Sequence, residues 1–244
     1  SEINAGANGT VSISASLADT TVLQGGSVSD QDGSTDSLAI NNTELDNING
    51  SVSLDGGNGD IVIGATVSDD NTVILTTAGK IIDDNSTGFD IDAPNAILSA
   101  ARGIGFDTGG NIDALEANVD NLHVRNSTSG GIFIDNTGDL NLTVLNTSLA
   151  GNDALTVTGG GNISATGSLS IAGDATFTSN LELTAGDNLT IAANVTLSGT
   201  GELLLEANND ILHTAGTIGG GTMTAIFDAD LDNSGEGLIS QTGG

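Results

Sequence analysis

Two short acidic runs carry the residue types and spacing from which a divalent-cation site is built. Asp30-Gln31-Asp32-Gly33-Ser34-Thr35-Asp36 spaces carboxylates at Asp30, Asp32 and Asp36 as calcium loops do, and Gly33 permits the sharp turn. Asp230-Leu231-Asp232-Asn233-Ser234-Gly235 matches the opening of a D-x-[DN]-x-[DNS]-G loop. In such a loop the side chains at positions one, three and five, here Asp230, Asp232 and Ser234, converge on the ion. Position twelve, where a bidentate acid closes the shell, is Gln241. Gly56-Gly57-Asn58-Gly59-Asp60 falls one residue short of the GGxGxD calcium repeat. Two readings of these acids stand side by side. They are ordered calcium ligands, or they are solvated turn aspartates that gather cations through their field alone.

Cleavage of a sugar bond is the second chemistry to weigh. It needs paired acids, a basic partner and aromatic rings on which the sugar stacks. Asp69-Asp70 and Asp83-Asp84 supply acid pairs, each beside an Asn in a turn-like setting. His123-Val124-Arg125 puts His123 and Arg125 on one face of a strand, and His213 stands alone. Trp and Tyr are absent and Lys and Arg total three, so platform and charge pairing are both missing. The chain is read as a non-enzyme, with His123 and His213 as outward-facing or turn residues. Lys80, Arg102 and Arg125 are spaced by 22 and 23 residues, which stacks all three in one column if the register holds.

The composition narrows the classes further. Among 244 residues, 32 acids face 3 basic residues, for a formal charge of −29. Nucleic-acid binding needs basic residues to displace counterions from phosphates, and polybasic membrane anchoring needs them too. No run of 18 apolar residues is present, which excludes a spanning helix. With no Cys there is neither a disulfide nor a thiolate metal site. Hydrophobic residues still make up 37%, nearly all aliphatic, so the chain buries a core instead of remaining disordered.

The elements that position these acids are short strands. Val11-Ser12-Ile13, Leu140-Asn141-Leu142, Leu169-Ser170-Ile171 and Leu181-Glu182-Leu183 alternate aliphatic and polar residues between Gly, Asn and Asp clusters. Taking Ile61, Ile81, Ile104, Leu122, Leu140, Ile163, Leu189 and Ile211 as equivalent gives steps of 20, 23, 18, 18, 23, 26 and 22 residues. A period of about 22 residues with three strands and three turns is the signature of a solenoid. The competing β-sandwich lacks its aromatic core, since Phe occurs only five times. The expectation is an all-β, right-handed parallel β-helix of roughly 18–26 residues per coil, and about eleven coils. It runs through residues 1–244 as one segment of a longer chain. Ten Asn-x-Ser/Thr sequences occur, and Asn162 and Asn188 are expected to form stacked side-chain ladders.

Several stretches carry a family resemblance. They are Ala101-Arg102-Gly103-Ile104-Gly105-Phe106, Ile112-Asp113-Ala114-Leu115-Glu116-Ala117-Asn118-Val119-Asp120-Asn121-Leu122, Asn126-Ser127-Thr128-Ser129-Gly130-Gly131-Ile132-Phe133-Ile134-Asp135-Asn136, Leu203-Leu204-Leu205-Glu206-Ala207-Asn208-Asn209-Asp210-Ile211 and Asp228-Ala229-Asp230-Leu231-Asp232-Asn233-Ser234-Gly235-Glu236-Gly237. This part of the chain, roughly residues 59–244, resembles the repeats of filamentous-haemagglutinin-like secreted adhesins of the two-partner-secretion and autotransporter class. Residues 1–58 match less clearly. The resemblance implies export to the cell surface and a role in adhesion, aggregation or fibre structure, without catalysis. Expected partners are other copies or adjacent segments of the fibre, end-to-end or lateral, and cell-surface receptors or glycans. No cofactor is required; calcium at the sites above is the one candidate. A calcium-dependent binding module is the alternative, and a polysaccharide-active enzyme the third reading.

Overall fold

The computed structural model describes residues 50–145 apart from 57, 65, 86 and 108, residues 155–157, and residues 161–242 apart from 236. It also describes the strands Gly9–Ser14, Thr21–Gln24, Ser27–Asp30 and Leu38–Ile40. Every named element is a strand, 28 in all, and the described residues contain no helix. The strands form two sheets of 14. All pairings between named strands are parallel except Thr21–Gln24 with Ser27–Asp30. The chain winds as a β-solenoid of about 7 turns, fewer than the eleven expected over the whole sequence.

A coil holds three strands. In one, Leu181–Ala185, Leu189–Ile191 and Val195–Leu197 follow each other with three residues at each corner. The alternation in Leu181-Glu182-Leu183-Thr184-Ala185 decides the geometry, because successive side chains leave a strand on opposite faces. Leu181, Leu183 and Ala185 are buried, while Glu182 and Thr184 lie outside. Stacking repeats the choice from coil to coil. Ile134, Ile163, Leu183, Leu205 and Phe227 occupy one interior column, and Ala165, Ala185, Ala207 and Ala229 another. Burying each large aliphatic side chain contributes about 1.5–3 kcal/mol, which is how a core with few rings holds together.

The register corrects the equivalences drawn from spacing. Ile61, Ile81 and Ile104 do stack, but the next residue in their column is Ile132, not Leu122. Leu122 lies on the other sheet, between Ala96 and Leu142. Leu140, Leu169, Leu189 and Ile211 form a further column. Each coil has several aliphatic strand starts of the same composition, so counting along the chain jumps between sheets. The three basic residues separate for the same reason. Lys80 and Arg102 sit near one corner, where the Arg102 N–H donates to the Gly79 carbonyl at 3.0 Å. Arg125 is on the opposite sheet, paired with Ser99.

The cross-section changes phase in mid-rod. Ile132–Asn136 pairs with both Ile104–Phe106 and Leu115–Asn118, so two short strands of one coil merge onto a single longer one. On the other sheet Asn121–Asn126 splits between Leu140–Leu142 and Leu155–Val157. Gly105 belongs to this junction. It is the extra residue of a bulge between Ile104 and Phe106, at φ 79°. The bulge brings the Phe106 ring edge-on to Phe133 at 5.4 Å, with the Lys80 ammonium 5.0 Å from the Phe106 ring centre. A Cβ at Gly105 would collide with the Phe133 carbonyl. Gly105→Ala is expected to cost more than the about 1–2 kcal/mol of a left-handed alanine alone. Urea midpoints equal to those of the native chain would refute this.

Candidate functional site

Corner acids in this rod serve the backbone first. A corner interrupts the parallel ladder and leaves N–H groups that still require acceptors. Asp60 Oδ1 accepts the Lys80 N–H at 2.7 Å, and Asp139 Oδ1 accepts that of Ser168 at 2.8 Å. Asp174 takes the Asn194 N–H at 3.0 Å and Asp210 that of Leu238 at 2.9 Å. Asn180 and Asn188 do the same for Glu202 and Asp210. Each acceptor reaches one coil onward, so these side chains link successive turns of the solenoid.

One group of carboxylates has a different arrangement. Asp83 ends the strand Ile81–Asp83, Asp90 precedes Ile91–Asp92, and Glu116 lies in Leu115–Asn118 one coil on. One oxygen from each lies within 4.8 Å of the others. Asp83 is 2% exposed and Asp90 0%. The segment between them folds back so that the Asn85 amide donates to Asp90 Oδ1 at 3.1 Å and to the Phe89 carbonyl at 3.2 Å. The Glu116 N–H donates to Asp90 Oδ2 at 2.9 Å, and the Asn85 N–H to Asp83 Oδ1 at 2.8 Å.

Burial, followed by the charge of Asp83, pushes the Asp90 carboxyl up to about 9. Asp83 and Glu116 are also raised, burial being the main cause for both, with Asp113 and Asp84 adding repulsion at Asp83. Burial thus favours the protonated form of Asp90, whose carboxyl is hydrogen-bonded to that of Asp83. Three acids this close are held by a proton or by a divalent cation, and this set offers hard oxygen ligands for either. Sequence reasoning reached Asp83 only as half of the pair with Asp84. Asp90 and Glu116 carry no motif, because coil stacking alone brings them together.

The acids singled out by loop pattern fall as follows. Asp230 and Asn233 take positive φ of 72° and 55°. The loop closes on itself: Asp230 Oδ1 accepts from the Gly235 N–H at 3.0 Å and from Ser234 Oγ at 3.2 Å. Asp232 Oδ1 accepts the Ser234 N–H at 3.0 Å. Asp230 and Ser234 are thus brought together, and Gln241 lies in the strand Ile239–Gln241. Asp30 closes the strand Ser27–Asp30, whereas Asp32 and Asp36 lie outside the described residues.

Other expectations need correction. His123 is neither outward-facing nor in a turn. It sits in the strand Asn121–Asn126, buried at 5% exposure, with Nδ1 3.4 Å from the Leu145 carbonyl. His213 is half-buried, its Nε2 3.1 Å from the Gly216 carbonyl. An Asn ladder exists, but it runs through Asn95, Asn121 and Asn141 and ends on Ser170. Asn188 instead belongs to the corner acceptors described above. The architecture is that of β-helix repeat proteins. Comparison with protein-family models, with curated proteins and with solved structures found no match.

Proposed function

We propose that the chain is a structural or adhesive segment of a secreted or cell-surface fibre, in which rods extend by end-to-end stacking of coils. The observation that carries this reading is coil-on-coil stacking: Glu202–Ala207 pairs in parallel with Leu181–Ala185 on one side and Thr224–Ala229 on the other. Thr224–Ala229 and Ile239–Gln241 end their sheets, each paired on one side only among the described residues. Ile226, Leu238 and Ile239 are 38%, 55% and 56% exposed there. Ala225, Phe227 and Ala229 still pack on the core from this end coil. A parallel edge with apolar residues is a template for another strand of the same kind. The resemblance to adhesin repeats points the same way. The −29 coat keeps rods soluble and makes lateral contact between them repulsive.

Sedimentation velocity on the purified chain is expected to show species whose size grows with concentration. Growth is expected to be favoured by salt, because rods of like charge repel less when screened. Leu238→Lys with Ile239→Lys should hold the chain at one small species. A single species for the native chain at every concentration and salt would overturn end-to-end stacking.

A further inference from the structure

We draw no further inference here: the strongest candidate, the Asp83, Asp90 and Glu116 side-chain cluster where the corner after Ile81–Asp83 folds back beside the next coil, belongs to the site already described, and nothing among the described residues beyond the acids themselves points to a ligand there.

Discussion

Asp90→Asn is expected to make the protein less stable than the native chain at pH 3 and more stable at pH 9. The sign follows from where the proton goes. Asp90 releases its proton at about 9 in the folded protein, against an ordinary value of 3.8. Between those values the folded state holds a proton that the unfolded chain has lost. Stability from this group is therefore complete below about pH 4, declines as pH rises, and is exhausted above about 9. Asp69, Asp83, Glu116 and Glu206 are also raised by burial, and their contributions slope the same way. Among the described residues the one shift in the other direction, at exposed Asp107, opposes them.

One fully linked proton changes stability by up to about 1.4 kcal/mol per pH unit. Asparagine at position 90 has a single acceptor for two donors, the Asn85 amide and the Glu116 N–H, so at low pH it sacrifices about 1 kcal/mol. At high pH it removes a buried charge facing Asp83 and Glu116, which more than offsets that loss. Urea midpoints at pH 3, 5 and 9 should cross between the two proteins. Parallel curves, or a native chain equally stable throughout, would show that Asp90 ionises freely.

The contrast between Asp90 and Asp60 shows what a single sequence does and does not display. Period-two alternation with Gly, Asn and Asp at the corners displays the solenoid, because each coil solves the same local problem with the same residues. The acids at Asp60, Asp139, Asp174 and Asp210 are legible as turn residues on those grounds, although their use as acceptors for the next coil is not. The column register is hidden because Leu122 and Ile132 look alike along the chain and differ only in which sheet receives them. The switch at Ile132–Asn136 compounds this, changing the step to 28 residues from Ile104 to Ile132. The Asp83, Asp90 and Glu116 cluster depends on that register together with the chain that folds between Asp83 and Asp90. No spacing rule isolates it. His123 was misplaced because its strand, Asn121–Asn126, buries three consecutive residues where strict alternation would expose one.

Leu183→Asp should divide the rod's unfolding into two transitions. Leu183 is completely buried, with Ile163 on one side of its column and Leu205 on the other. An aspartate there has no donor within an aliphatic column, so it costs the lost burial and the desolvation of a polar group, more than about 4 kcal/mol in all. In a solenoid each coil contacts only its neighbours, so such a penalty acts on one interface and is not shared over the whole molecule. The coils beyond it, Glu202–Ala207 through Ile239–Gln241, then lose the support of those before it. Hydrogen exchange should show protection lost in Glu202–Ala207 but retained in Thr72–Thr77 at intermediate urea. Ile239→Asp provides the comparison, since Ile239 is 56% exposed on the last strand and should cost no more than about 0.5 kcal/mol. If both substitutions lowered stability equally, or if Leu183→Asp merely shifted one cooperative transition, the aliphatic columns would not be what couples coil to coil. The acid would then be tolerated by a fold held mainly through its backbone ladders and corner acceptors, and extension of a fibre from the last coil would rest on strand pairing alone.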